Sequence, residues 1–486
     1  MRVQLEKDGA VVVLEGPPLA RGGEALIYAV PDRPELLAKV YHKPSPERAD
    51  KLAVMLAAPP ADPMAGLGHP SIAWPLDRLR EADGECRCVG YVMPRVHNAR
   101  PLFEFYNPKV RLQVCPLFHY GYLVRTARNL CAAVFAVHEA GYVIGDLNES
   151  NVLVTNQALV TLVDTDSFQV AGPGRTFRCP VGKPDYTPPE LYGTRYGEFD
   201  RRPEHDDFAL AVLIFQLLMQ GFHPFAGRFT GQGDPDPIPK RIAAGHWPYA
   251  KSRPVPYEPN PHAPPLEVLP APLPELVRRC FEEGHTTPAA RPTAAQWHEA
   301  LREAEQRLQP CIVNRQHLFN QALLICPWCD LAARQGRDPF PSAADVQSGN
   351  IGIPLALPVS AETPAGDALP VIPVDEFPPL DISIGPVRDS YQDGEREPSL
   401  ILQLILSPLW LCVIALVGLA ILFAAILHSR TSREKGPPQT PGRLAPANRP
   451  RFGERRFTSR RTVPGSGQVA TSRGTSAGGS APGRAR

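Results

Sequence analysis

The chain has 486 residues, a formal net charge of +1, 21% charged residues and 43% AVILMFWYC residues. At ~150 residues per domain the length suggests about three domains, and the composition excludes a wholly disordered chain and a polytopic membrane protein. Proline, at 58 residues, is more than twice as frequent as the usual ~5%; proline is excluded from helix interiors and central strands, so long unpaired stretches are expected.

In chain order, the N-terminal apolar run Ala10–Leu14 is short and preceded by charges of both signs, unlike a signal peptide. Residues 36–41 (LLAKVY) form an apolar strand that carries Lys39. A helical pattern starts at Glu47, and residues 89–96 (VGYVMPRV) read as a buried strand. Asp146 and Asn151 are then five apart on a short loop, followed by the strand Val152-Leu153-Val154 and a second strand, 159–163, that ends at Asp164. Two such strands joined by a turn bring Asp146, Asn151 and Asp164 to one end. Asp and Asn oxygens suit Mg²⁺, and the remaining Asp suits proton acceptance from a hydroxyl nucleophile. Residues 205–225 (HDDFALAVLIFQLLMQGFHPF) follow as a long, largely apolar stretch.

Beyond this body, Cys326-x-x-Cys329 places two thiolates on one tetrahedral ion, with His317 and Cys311 completing a Cys₃His zinc site over 307–340. Residues 341–399 carry ten Asp/Glu against Arg388 and Arg396 and read as an acidic, Pro-rich, disordered linker. Residues 400–428 hold no Asp, Glu, Lys or Arg, long enough as a helix to cross a ~30 Å hydrocarbon core. Residues 429–486 are Arg-, Gly- and Ser-rich, with thirteen Lys/Arg against Glu434 and Glu454, and lack the apolar residues to fold. The near-zero net charge is therefore a cancellation between an acidic linker and a basic tail.

The Asp146 loop and its neighbours resemble the catalytic core of the protein-kinase superfamily. The family's H-R-D-x-x-x-x-N loop aligns with Ile144-Gly145-Asp146 and Asn151, and its D-F-G with Asp164-Thr165-Asp166. Residues 19–30 (LARGGEALIYAV) resemble the Gly-rich phosphate loop, with Gly22 and Gly23 retained, and LLAKVY resembles the V-A-I-K strand. The resemblance covers about 12–306 and implies a two-lobed α+β protein-kinase-like fold over 1–306. It implies ATP and Mg²⁺ as cofactors, Asp146 as base, and Asn151 and Asp164 as Mg²⁺ ligands. Lys39 is then the phosphate-binding lysine, with Ala38 beside it, Glu47 its ion-pair partner and Met93 at the adenine hinge. His138 is read as structural, Asp206 as the brace of the catalytic loop, and Arg291 as the partner of Glu190 in GKPDYTPPEL. The overall pattern looks most like bacterial kinase-domain proteins of the helix-hairpin-helix or stress-operon type.

Several positions depart from the family pattern. Gly145 replaces the Arg before the catalytic Asp, Ile144 its His, Asn148 the loop Lys, and Lys183 the Thr of G-T-P. The expectation is a membrane-anchored Ser/Thr-type kinase with an unknown protein substrate, in the bacterial inner membrane, with residues 400–428 as a single span and the kinase domain cytoplasmic. The alternative is an ATP-binding pseudokinase that acts as scaffold or sensor. A nucleic-acid adaptor is disfavoured, because the body lacks interleaved basic and aromatic positions.

Overall fold

The computed structural model describes residues 1–83 and 86–349. Period-2 alternation builds the N-terminal half. Its sheet comprises β1 (Arg2–Leu5), β2 (Val11–Val13), β3 (Ala20–Arg21), β4 (Ala25–Ala29), β5 (Leu36–Tyr41), β6 (Asp77–Glu81) and β7 (Cys88–Pro94). The spatial order is β2-β1-β6-β7-β5-β4-β3, with antiparallel neighbours throughout. Successive strand residues point to opposite faces. In β5, Ala38 and Val40 join Val3, Leu5, Leu79 and Val92 on the outer face. Leu37 and Tyr41 pack into the main core on the inner face, and Lys39 shares their parity.

Gly90 lies beside Lys39 because nothing larger fits: a Cβ there would stand 2.0 Å from the Lys39 carbonyl oxygen. Helix α1 (Pro46–Ala57) starts at Ser45, whose Oγ accepts from the Arg48 amide at 3.2 Å. Its Leu52 and Met55 are buried in the main core, and Trp74 Nε1 donates to the Met55 carbonyl at 2.9 Å.

Residues 95–98 lead into β8 (Ala99–Pro101), which pairs with β9 (Val152–Thr155); β9 pairs in turn with β10 (Val160–Leu162). Helices α2 (Leu102–Tyr106), α3 (Pro108–Val114), α4 (Tyr120–Glu139) and α5 (Pro203–Leu218) build the C-terminal half. Both α4 and α5 are buried on nearly every side; the run Phe208–Phe215 of α5 is apolar all round, as expected for a central helix, whereas α4 also buries Arg125, Arg128 and Asn129. The helix Ala294–Gln306 packs beside α4; Thr293 and Gln296 close its N-terminus with a capping box. Arg128 of α4 pairs with its Glu305 at 3.3 Å.

Residues 307–340 are fastened onto this half. The strands Leu308–Pro310 and Leu318–Asn320 pair, and the helix Pro327–Gln335 follows. Trp328 is fully buried, donates Nε1 to the Leu318 carbonyl at 2.6 Å, and its ring centroid lies 4.7 Å from that of Tyr120. From α3, buried Arg111 donates to the Pro339 carbonyl at 3.1 Å. The linker expected to be disordered over 341–399 instead opens on a short helix, Ala343–Gln347, capped by Ser342, whose Oγ accepts from the Asp345 amide; its remainder from 350 on, the span 400–428 and the basic tail lie outside the described residues. Among the described residues no helix is long and apolar enough to cross a membrane.

Candidate active site and metal centre

The loop between α4 and β9 is assembled by Asp206, in the first turn of α5. Its Oδ2 accepts from the Ile144 amide at 2.7 Å and its Oδ1 from the Gly145 amide at 2.8 Å. His138 Nε2 lies 3.0 Å from Oδ2. The predicted brace is present, and His138 is part of it. Just beyond, Asp146 is held by two carboxamides. Asn148 Nδ2 donates to Asp146 Oδ1 at 2.9 Å. Asn151 Nδ2 donates to the Asp146 carbonyl at 3.0 Å and to Oδ2 at 3.3 Å. Burial pushes the Asp146 carboxyl above its ordinary range; the Asn148 bond opposes this, and nearby Asp164 adds to it.

Asp164 follows β10 in the left-handed region, at φ 59 and ψ 35, which Asp tolerates better than most residues. Its carboxylate is 42% exposed. Val163 donates its amide to the Asn151 carbonyl at 3.0 Å, tying the Asp164 loop to the Asn151 loop. Asn151 spends its Nδ2 on Asp146, and none of the described residues donates to its Oδ1. Asp164 and Asn151 thus present the carboxylate and carbonyl oxygens that a hard divalent cation requires.

Lys39 reaches this loop. Its Nζ donates to Asp164 Oδ1 and Asp166 Oδ1, both at 2.5 Å. Asp166 is closed in on every side: Tyr91 OH donates to it at 2.8 Å, Tyr41 OH at 3.0 Å, and only 8% of its side chain is exposed. Burial acts to neutralise both partners. It is outweighed, so Lys39 is held above its ordinary value by Asp166 and Asp164, and Asp166 below its own by Lys39 and the two hydroxyls. Lys51, buried on α1, donates to the Asp166 carbonyl at 2.7 Å.

Two sequence expectations are corrected here. Glu47 does not pair with Lys39; it is exposed in the first turn of α1, and Asp166 supplies the charge instead. Ala38 lies on the outer face of β5, packed with Val40 and Val92. The one-residue step from Lys39 reverses its direction, so Leu37, opposite Met93 in the β5–β7 register, takes the inner position. Met93 is nearly buried and joins the main core. Gly22 and Gly23 form the exposed turn between β3 and β4, closed by the Gly22 amide donating to the Ala25 carbonyl at 2.9 Å. Asp166 was missed, although a signal existed: Lys39 and Tyr41 share a strand face, and Tyr91 is opposite Lys39 in register.

Downstream, Glu190 and Arg291 form the expected lock. Arg291 Nη1 and Nη2 each donate to one Glu190 oxygen at 2.7 Å, and the arginine side chain is fully buried. Lys183 pairs with Glu149 of the loop between α4 and β9.

The four predicted metal ligands converge. Cys311, His317, Cys326 and Cys329 offer ligand atoms that all lie within 4.8 Å of one another. Cys311 Sγ is 3.7 Å from Cys329 Sγ. His317 Nδ1 is 3.4 Å from Cys329 Sγ and 3.6 Å from Cys326 Sγ. Nε2 of the same ring faces Asp338 at 2.8 Å, an orienting partner that sequence reading missed. A carboxylate behind a ligand histidine is the usual outer arrangement of a metal site. Trp328, which sits inside the Cys-x-x-Cys, packs on the helical half as well, so the cluster and the docked tryptophan coexist.

No family model matches the chain. The chain is 34% identical over 319 residues to the protein kinase YegI of Escherichia coli K12, covering 65% of this chain and 48% of that one. It is 34% identical over 322 residues to the YegI of Escherichia coli O157:H7, covering 66% and 49%. The chain thus spans about half the length of these curated relatives. Among solved structures it is similar to a ROP18 kinase domain in complex with AMP-PNP and sucrose, with TM-score 0.41 and 19% identity, covering 63% of this chain and 83% of that one.

Proposed function

Because the chain belongs to the protein-kinase superfamily, we propose that it transfers the γ-phosphoryl group of ATP to a protein hydroxyl, as a Ser/Thr-type kinase. The observation that carries this reading is the convergence of Lys39, Asp146, Asn151 and Asp164 at one end of the β9–β10 hairpin. Asp146 accepts the proton of the attacking hydroxyl. Its two carboxamide contacts fix the carboxylate, and its raised pKa brings it nearer the operating pH, where a base is most effective. Lys39 binds the ATP phosphates; Asp166 holds its ammonium in place and keeps it charged. Leu37 and Met93 line the apolar side of the nucleotide seat, and Gly23, in the turn that the Gly22 amide closes, offers its backbone N–H above the phosphates.

Asn151 and Asp164 would hold Mg²⁺, which would supply positive charge to offset that of the phosphates. Zn²⁺ fits the Cys₃His cluster. Bonds of ~2.3 Å to sulfur and ~2.0 Å to nitrogen give tetrahedral edges of ~3.8 Å and ~3.5 Å, against the observed 3.7 Å between sulfurs and 3.4 and 3.6 Å from His317 Nδ1. Residues 400–428 anchor the chain in the bacterial inner membrane, with the kinase portion cytoplasmic. The support is a 29-residue run free of formal charge; extraction of the chain by alkaline carbonate would refute it.

A second reading, an ATP-binding pseudokinase, is favoured by one contact. Asn148 replaces the family's loop lysine and donates to Asp146 Oδ1, which occupies an oxygen of the base and removes a cation. Full-length protein in detergent, incubated with γ-labelled ATP, Mg²⁺ and a Ser/Thr-rich protein mixture, separates the two. Label on serine or threonine supports the kinase. Thermal stabilisation by ATP and Mg²⁺ without label supports the pseudokinase.

A further inference from the structure

The glycine before Asp146 leaves a space that another part of the chain fills. Gly145 sits at φ +76, and a Cβ there would lie 2.8 Å from Cys179 Cβ and Sγ, so the backbone geometry excludes a side chain at 145. Cys179 takes that space, and Arg201, just before α5 and 4% exposed, runs beside it with its Cδ 3.6 Å from the same Cβ position. Its Nη1 bonds the Gly145 carbonyl, and its Nη2 donates to the Val181 carbonyl at 2.6 Å. The guanidinium lies 4.5 Å from the Tyr196 ring centroid. Its backbone is fixed as well: the Arg201 amide donates to Gln169 Oε1 at 2.7 Å, and Gln169 Nε2 donates to the Arg201 carbonyl at 2.8 Å. One buried residue thus touches the catalytic loop at Gly145, the early part of the 164–190 segment at Gln169 and its later part at Val181.

We propose that Arg201 is a positioning residue that clamps the 164–190 segment to the catalytic loop, so that the site is assembled without phosphorylation of that segment. The inference rests on the kinase reading above. Both Nη groups already bond main-chain carbonyls that are fixed parts of the chain. The clamp therefore needs no added phosphate. It acts on Asp146 through the peptide that carries it, and so belongs to the geometry of transfer rather than to nucleotide binding.

The test compares full-length wild type, before and after treatment with a broad protein phosphatase, with Arg201→Met and Arg201→Lys. Expected are unchanged activity after phosphatase, and for Arg201→Met a kcat lower by on the order of 10²-fold, the scale of a small misplacement of reacting groups, with the KM for ATP unchanged. Arg201→Lys should fall between, because an ammonium reaches either carbonyl without the planar fork that bridges both. Amide hydrogen exchange in residues 176–184 should accelerate in Arg201→Met while α4 stays protected. Abolition of wild-type activity by phosphatase overturns the proposal, as does exchange over 176–184 equal to wild type. If wild type transfers no phosphate at all, the kinase reading fails, and the exchange experiment alone still decides the clamp.

Discussion

Asp166→Asn removes one charge from a nearly closed cage while keeping its shape. The Lys39 and Asp166 side chains are 9% and 8% exposed, so water screens neither. Removing one partner of a buried pair costs ~3–5 kcal/mol, because the other charge is left uncompensated. Asp164 stays in contact with Lys39, and the Asn Oδ1 keeps the position that accepts from Lys39 and Tyr91 while its Nδ2 faces Tyr41, whose hydroxyl can turn to accept, so the expected loss is near the lower end, about 3 kcal/mol. Glu47→Gln should change stability by less than about 0.5 kcal/mol, the range for surface substitutions. Urea titration at pH 7.5 reads both variants. A pH series adds a sign check. Asp166 is held below its ordinary value: burial raises it, but Lys39 and the tyrosines outweigh burial. Its contribution is present above the unfolded carboxylate pKa of ~3.9 and is lost as pH falls through the lower folded value, so the two proteins converge in acid. An Asp166→Asn protein as stable as wild type, or a Glu47→Gln protein as destabilised as Asp166→Asn, refutes the assignment of the Lys39 counter-ion.

The Cys₃His cluster should hold one zinc per chain by mass-spectrometric metal analysis; Cys326→Ser should lose it, and Asp338→Asn should weaken it by roughly 10–100-fold, the usual effect of an outer-shell change. Arg291→Met should destabilise by about 3–5 kcal/mol in the same titration, because it leaves Glu190 without its bidentate partner. The acid limb of kcat/KM should fall above the ordinary aspartate value of ~3.9, because burial raises Asp146 and only its ionised form accepts a proton. A limb at ordinary carboxylate pH would contradict that.

What was legible in the sequence was mostly local or apolar. The Asp146–Asn151 spacing and the two apolar strands 152–154 and 159–163 bring the three polar residues together because a hairpin leaves few alternatives. Asp206 was legible through the resemblance of 205–225 to the family's central helix, which opens on an aspartate ahead of a long apolar run. The Cys-x-x-Cys and His317 were readable from ligand chemistry. What was not legible depended on contacts distant in sequence or on direction. Lys39 and Asp166 are 127 residues apart, and proximity in sequence favoured Glu47, which α1 turns to solvent. Ala38 was assigned by adjacency, although a strand reverses direction at each residue. Arg201 was hidden because its role arises from a side chain that Gly145 lacks, and Asp338 because no spacing rule links it to His317.

The most direct test of the central claim is γ-phosphate transfer by full-length wild type against Asp146→Asn, with ATP binding measured in parallel. The account predicts that the substitution lowers kcat by on the order of 10²–10⁴-fold, the usual contribution of a positioned base, while the ATP- and Mg²⁺-dependent thermal shift persists. Equal phosphotransfer by the two proteins would contradict it.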